Sequence, residues 1–361
     1  MFILLLVFLS QQVANQPQIE LKQEFLRGKA LLLPDISLVG DIVNQSIIER
    51  KFKNDFMIRE FELGIQGYIH PKIRIDVFAS AHMGTEHKDD TEHGKDDTEH
   101  KHDTGHGSGL NFEEGYITFL QIIGPLGGRL GRKYTDFGKF NPLHPEQWLY
   151  VDIPDVLQKS FGEENLIGDG GNIFLNLPAP FATFRIEGGV WRKFTGPFED
   201  VFYSGRLFSS FSVEEFSEIH IGLSSVAGIL VENSERKLSS FTGMDVSFIR
   251  ATPKDKIQFI TEPIIKIRES LEFLGLYSSL FYSNPRWQGG LRFDFLNREL
   301  IGLNPIFSLL ITETTKFRIQ YGIKFLSSHG EEDHSEEIST KHIIFLQFIF
   351  AIGPHGHVLQ F

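Results

Sequence analysis

A run of histidine and acidic residues stands out at Thr85–Gly107, TEHKDDTEHGKDDTEHKHDTGHG, which contains no apolar side chain. Imidazole nitrogen and carboxylate oxygen are ligands for Zn²⁺, and they also suit Cu²⁺, Ni²⁺ and Co²⁺. The spacing is not that of a rigid site, so we expect several exchangeable sites that bind divalent metal loosely, with no required cofactor. The alternative is a solvated repeat without a role. The predicted ligands are His82, Glu86, His87, Glu92, His93, Glu99, His100, His102, Asp103 and His106.

A second run, Ser328–Glu337 (SHGEEDHSEE), has the same character. Its two histidines, His329 and His334, are further predicted metal ligands. Both runs are too polar to bury themselves, so each predicts a solvated connection between structured segments.

The composition excludes several classes of function. The net charge of −12 argues against binding to nucleic acid, and the absence of cysteine removes thiolate catalysis, cysteine zinc sites and disulfides. No GxSxG elbow, HExxH helix or phosphate-binding loop is present. We therefore expect no enzymatic activity.

The amino-terminal region predicts export. Residues 1–15 resemble a secretory signal peptide, because the apolar run Phe2–Leu9 is too short to span a bilayer and a polar stretch follows it. Residues 16–34 are expected to form an amino-terminal periplasmic segment, as a short helix or a first strand. No later window approaches 18 consecutive apolar residues, so residues 35–361 can cross a membrane only as a β-barrel.

The alternation of polarity after Asp35 predicts strands. In Lys316–Leu326, every second residue from Phe317 is apolar and the residues between are polar or glycine. This period of two places the two sets on opposite faces of a sheet. We predict an all-β fold, an antiparallel transmembrane β-barrel of about 16 strands. The predicted strands are 36–43, 55–68, 72–83, 112–122, 126–134, 170–177, 182–193, 201–211, 217–230, 238–250, 256–268, 274–283, 287–297, 304–313, 316–326 and 341–352.

Short and long connections alternate along the chain. Short ones such as His70-Pro71 and Gly124-Pro125 follow even strands, whereas 84–111, 135–169 and 327–340 follow odd strands. Short periplasmic turns and long extracellular loops are typical of bacterial outer-membrane barrels. We expect this location, with outer-membrane lipid, divalent cations and the barrel-assembly machinery as partners, and a homotrimer as the expected assembly. The chain ends in Phe361, like substrates of that machinery.

The polar faces of the strands predict a mixed lumen with a basic excess, which favours anions or metal–anion complexes. The predicted pore-lining residues are Arg74, Asp76, Arg185, Glu187, Glu262, Lys266, Arg268, Arg292, Asp294, Arg318 and Lys324.

The long connection 135–169 exceeds a plain turn. It combines apolar anchors with polar groups and is interpreted either as an inward loop that constricts the channel or as an ordered surface flap. The candidate constriction residues are Lys139, His144, Glu146 and Asp152.

One run within this region carries a family resemblance. Residues 131–145 (GRKYTDFGKFNPLHP), followed by Gln147-Trp148 and Asp152-Ile153-Pro154, resemble porin-like outer-membrane proteins related to the phosphate-selective porins. The run is most similar to a group labelled zinc-regulated outer-membrane receptors, whose members also carry a His/Asp/Glu-rich loop and a terminal Phe. The resemblance implies a link to zinc, and Glu146 departs from it, which leaves His144 alone as the ligand of that motif.

Two functions of different classes follow. The first is a porin-like channel for small solutes or ions, whose outer loops concentrate divalent metal, with zinc expected. The second is a non-conducting metal-binding or receptor protein that uses the barrel as an anchor.

Overall fold

The computed structural model describes residues 33–83, 110–232, 234–329 and 336–353. Sixteen antiparallel strands close into a barrel in which each strand pairs with its neighbours in sequence and β16 pairs with β1. The predicted all-β antiparallel barrel is confirmed. The strands are β1 (Asp35–Ile48), β2 (Phe52–His70), β3 (Ile73–Met83), β4 (Leu110–Ile123), β5 (Leu126–Tyr134), β6 (Ile167–Ala179), β7 (Ala182–Lys193), β8 (Phe198–Glu214), β9 (Ser217–Glu232), β10 (Glu235–Ala251), β11 (Lys256–Ile267), β12 (Leu271–Ser283), β13 (Trp287–Leu296), β14 (Leu300–Thr312), β15 (Thr315–His329) and β16 (Glu336–Ile352).

The period of two explains the two surfaces of the barrel. In β14, Leu303 and Phe307 are exposed on the outside, whereas Asn304 and Ser308 are fully buried on the inside. The same alternation recurs around the barrel and produces an apolar exterior that matches the hydrocarbon of a bilayer. Near the β12–β13 turn, the Trp287 ring lies against neighbouring aromatic rings, as expected for an interfacial girdle.

The two ends of the barrel differ. Connections such as 71–72, 124–125 and 313–314 join strands at one end, which we call the turn end. The longest connections, 84–109, 135–166 and 330–335, leave the other end, the loop end.

Irregularities interrupt the pairing of the described strands at several places, and two β-bulges among them change which side chains face inward. In β2, Asp41 pairs with Glu60 but Ile42 pairs with Ile58, so Arg59 is the extra residue. In β4, Phe78 pairs with Glu114 but Ala79 pairs with Phe112, so Glu113 is extra. A bulge lets consecutive residues approach the same face, and both bulges add a charged side chain to the interior.

Two short helical elements lie in the connection 135–166: a 3₁₀ turn at Pro145–Gln147 and helix α1 at Asp155–Phe161. No helix among the described residues is long and apolar enough to cross a membrane. The predicted signal peptide, residues 1–15, and residues 16–32 of the predicted periplasmic segment lie outside the described residues.

Candidate functional site

The connection 135–166, called the inward segment here, leaves the loop end, fills part of the barrel and returns to the same end. Its two ends meet where the Thr135 amide donates to the Leu166 carbonyl over 2.9 Å. The side-chain amide of Asn141 completes this neck. It donates to the backbone carbonyls of Thr135 and Leu166, at 2.8 and 3.1 Å, and accepts from the backbone amide of Leu166 at 2.9 Å. The segment therefore lies inside the barrel, and its constriction of the channel stays a prediction.

An apolar cluster fastens the inward segment to one side of the wall. The Tyr150 ring lies 5.8 Å from Phe140 of the same segment and 5.8 Å from Phe281 of β12. Farther along, the Phe161 ring at the end of α1 lies 5.5 Å from Phe241 of β10. Each such fully buried aromatic side chain contributes about 1.5–3 kcal/mol of burial free energy, so this packing is a large part of what holds the segment.

Buried bases from β13 and β15 hold the segment on the polar side. Arg292 donates from Nη1 to the Asp152 carbonyl over 2.8 Å and forms an ion pair with the Asp152 carboxylate at 2.9 Å. Lys324 forms an ion pair with Asp155 at 2.5 Å. Burial raises the pKa of Asp152, but Arg292 and Lys324 outweigh it and lower that pKa below its usual value.

Several residues predicted to line the pore are therefore covered. Arg292, Asp294 and Arg318 are fully buried behind the inward segment, and Lys324 is almost so. They anchor the segment instead of facing open solvent. The predicted strand 256–268 ends one residue earlier than expected, at Ile267, so Arg268 lies in the following connection. Lys266, the penultimate residue of β11, is half-buried.

The rest of the wall carries ion pairs arranged in two layers. In each pair the arginine side chain is partly exposed and the carboxylate side chain is nearly or fully buried. The exposed fractions of the side chains are 21% and 1% for Arg59–Asp41, 31% and 4% for Arg74–Asp76, 26% and 6% for Arg185–Glu187, and 11% and 0% for Arg206–Asp245. Solvent in the lumen thus meets cations first.

A stacked arrangement extends this layer onto β5 and β7. The ring of Phe174 has the Arg185 guanidinium at 4.1 Å and the Arg129 guanidinium at 5.0 Å. Arg129 also binds Asp136 of the inward segment at 2.9 Å. Burial alone raises the pKa of Asp136, but Lys133 and Arg129 lower it overall, so this carboxylate is charged in the lumen.

His144 is held at the bottom of a pocket between the inward segment and the wall of β2–β4. Its Nδ1 lies 2.7 Å from a Glu62 oxygen and its Nε2 lies 2.8 Å from a Glu114 oxygen. The rings of Phe78 and Tyr134 enclose it at 4.9 and 5.1 Å. Burial lowers the pKa of His144, but Glu62 and Glu114 outweigh it and hold the pKa well above its usual value.

More carboxyl groups surround this histidine. Glu62, His144 and Glu146 each offer a ligand atom within 4.8 Å of the others, and so do Glu60, Glu62 and Glu113. Glu60 lies on the same face of β2 as Glu62, and Glu113 enters this group through the bulge in β4. We call Glu60, Glu62, Glu113, Glu114, His144 and Glu146 the acidic cluster.

The sequence did not predict the acidic cluster. The sequence predicts His144 and Glu146 as constriction residues, and the family resemblance implies His144 as a ligand, but their partners Glu62 and Glu114 are distant in sequence and were not predicted. Of the predicted metal ligands, His82 is in β3 and His329 ends β15. The others are outside the described residues: Glu86, His87, Glu92, His93, Glu99, His100, His102, Asp103, His106 and His334.

Comparison with known proteins gives a fold. No protein-family model matches the chain, and no curated protein matches it significantly. Among solved structures, the chain is similar to an anion-selective porin from Comamonas acidovorans, with a TM-score of 0.57, 8% identity and coverage of 89% of this chain and 99% of that one. It is also similar to OprB of Pseudomonas putida, with a TM-score of 0.56, 8% identity and coverage of 89% and 94%.

A third similar structure is the trimer form of the outer-membrane protein OmpT of Vibrio cholerae, with a TM-score of 0.52, 6% identity and coverage of 88% and 99%. The closed barrel, its apolar exterior and these likenesses define a porin-like barrel of the bacterial outer-membrane type. The fold thus confirms the predicted location in the outer membrane.

Proposed function

We propose that the protein is an outer-membrane channel for small solutes that prefers anions, and that its His- and acid-rich outer connections concentrate divalent metal, with zinc expected. The observation that carries the channel is the two-layered wall, in which partly exposed guanidinium groups stand in front of buried carboxylates. Rings of arginine and lysine side chains favour anions in pores.

The inward segment supports a selective rather than a wide pore. Its apolar cluster packs against β7–β14, and the buried bases of β13 and β15 that hold it are fully or almost fully covered. The partly exposed guanidinium groups lie on β2, β3, β7 and β8, and we expect the remaining passage to run beside them. One porin of similar fold is described as anion-selective; at 8% identity this is a likeness of fold, and the proposal depends on the guanidinium groups themselves.

The metal part of the proposal depends on the sequence. Thr85–Gly107 and Ser328–Glu337 supply many imidazoles and carboxylates, and they lie in or beside connections that leave the loop end. Such groups raise the local concentration of Zn²⁺, or of complexes between metal and anion, near the channel entrance. The finer likeness to zinc-regulated receptors and the assembly as a homotrimer belong to the same proposal.

Planar-bilayer recording of the refolded protein tests the channel. We expect steady conductance and a reversal potential of anion-preferring sign in a salt gradient, reduced in Arg74→Gln and Arg185→Gln but not in Arg192→Gln, an exposed residue near the loop end. Micromolar Zn²⁺ should change the conductance only when Thr85–Gly107 is intact. No conductance in any variant would favour the alternative, a barrel that anchors a metal-binding surface.

A further inference from the structure

The acidic cluster poses a problem of charge. Glu60 and Glu62 are 4% and 1% exposed, and within the described residues their Oε1 atoms have no hydrogen-bond partner. Among the ion pairs of the described residues, Glu62 has one partner, His144, and Glu60 has none. Burying carboxylates without a neutralising partner is strongly unfavourable, so these groups must either take up protons or bind a cation.

The nearest bases have other partners. The Arg59 guanidinium binds the Asp41 carboxylate and the Val151 carbonyl. Lys316 approaches the cluster only through the Glu146 backbone, with Nζ 3.5 Å from the carbonyl oxygen. Glu113 accepts a hydrogen bond from the Ser80 hydroxyl, which is neutral. For Glu62, His144 is the basic side chain paired with the carboxylate.

The histidine is arranged as metal-binding histidines commonly are. Its Nε2 faces Glu114 at 2.8 Å, which fixes the ring and its tautomer, and its Nδ1 faces Glu62. A metal ion in place of the proton between Nδ1 and Glu62 would also reach Glu146, whose ligand oxygen lies within 4.8 Å of both. Glu60 and Glu113 meet Glu62 on its other side and add negative charge.

We propose that the acidic cluster is an occluded binding site for a divalent transition-metal ion, with His144 Nδ1, Glu62 and Glu146 as ligands, Glu60 and Glu113 as supporting carboxylates, and Glu114 as the residue that positions the imidazole. One nitrogen and several carboxylate oxygens suit Zn²⁺, and Co²⁺ occupies such sites as well. This site differs from the surface runs predicted above, because its proposed ligands Glu62, His144 and Glu146 are fully buried. It goes beyond the channel function and does not depend on conductance.

Retention of zinc tests the proposal. The full-length refolded protein in detergent is stripped with chelator, loaded with Zn²⁺ and desalted in a weak chelator that removes exposed ions. Because the site is occluded, we expect about one zinc ion per chain to remain. Glu62→Gln and His144→Gln should lose it, and Glu114→Gln should bind zinc about 10- to 100-fold more weakly. Glu262→Gln, which alters a buried carboxylate outside the cluster, should match the unmodified protein.

Deletion of Thr85–Gly107 separates this site from the surface run. If the retained zinc survives the deletion and disappears in Glu62→Gln, it is held by the cluster. If the deletion removes it, or if the unmodified protein retains none, the proposal is wrong. A channel that fails to conduct but retains zinc would refute the proposed function and leave this inference intact.

Cobalt gives a second readout. The unmodified protein loaded with Co²⁺ should show visible d–d absorption that is absent in His144→Gln. Heat-modifiable mobility on gels reports whether each variant folds, and Glu60→Gln replaces Glu62→Gln if the latter does not. Equal cobalt spectra in the unmodified protein and a folded His144→Gln variant would overturn the assignment of the nitrogen ligand and with it the site.

Discussion

Arg318 of β15 donates from Nη2 to the carbonyl oxygen of Trp148 in the inward segment over 2.7 Å. Its Nη1 donates to the Tyr150 carbonyl over 2.6 Å and to the Gln347 side chain over 2.9 Å. The planar guanidinium fork suits several acceptors at fixed angles, which a lysine cannot do. A fully buried arginine in the wall thus fixes the backbone of a segment more than 160 residues earlier in the chain.

Replacing this arginine should loosen the segment. In Arg318→Met the Trp148 and Tyr150 carbonyls lose their buried donor, at a cost of about 1–3 kcal/mol for each. We expect lower thermal stability together with larger and noisier single-channel currents. Arg192→Met is the matched control, because Arg192 pairs with Asp200 on the exposed surface. Unchanged currents in Arg318→Met would show that the segment does not limit the passage.

The neck of the inward segment offers a second test. Asn141→Leu removes the three hydrogen bonds to Thr135 and Leu166, each with a net value of about 0.5–1.5 kcal/mol. Amide exchange at residues 137–166 should accelerate, while the amides of β13 and β14 keep their protection. Equal acceleration in those strands would mean that Asn141 supports the whole barrel rather than the segment.

Lys139 predicts a pH dependence of selectivity. Its Nζ lies 2.7 Å from His220 Nδ1, with Arg206, Glu218, Asp245 and Glu262 as the other charged neighbours. Burial is the main reason that its pKa is lowered to about 8. The ammonium group is charged below that pH and neutral above it, so anion preference should fall as the pH rises from 7 to 9.

Two variants check this pH dependence by reversal potential. Lys139→Met lacks the charge throughout, and Lys139→Arg keeps it throughout, so both should lose the step near pH 8. A step of unchanged size in either variant would assign the titration to another group.

Because the exterior is apolar, the free-energy cost of placing a charged side chain on it should depend on the depth of that side chain in the bilayer. Leu303 lies on the outward face well within β14, whereas Ile311 lies beside the turn that ends this strand. Leu303→Lys should destabilise the barrel in liposomes by about 2–4 kcal/mol, and Ile311→Lys by only about 0–1 kcal/mol. Equilibrium unfolding in denaturant measures both, and equal costs would contradict the placement of this face in lipid.

Much of the fold could be predicted because a barrel strand repeats a local pattern. The alternation in Lys316–Leu326 correctly separated outward Ile319 from inward Arg318, and the parity of connection lengths correctly separated the two ends. These features depend on neighbours in sequence, which is why all sixteen predicted strands are confirmed, most of them with shifted ends.

The site depends on contacts that a local pattern does not contain. A strict period of two cannot reveal that Arg59 and Glu113 are extra residues, so the added inward charges were missed. The sequence also predicts that Arg292 and Arg318 line the pore, because no pattern among their neighbours in sequence shows that the inward segment covers them. The loose metal sites of the surface runs and the lack of enzymatic activity stay predictions.

The layered ion pairs have a consequence for how the lumen selects solutes. Each pair is nearly neutral, so the wall acts as a sheet of dipoles with the positive ends toward the passage, and its field depends on orientation more than on net charge. Exchanging Arg74 and Asp76 would leave the composition of the chain unchanged and turn one dipole around. The preference for anions is thus a property of arrangement, which a count of lysines, arginines and acids along the chain does not contain.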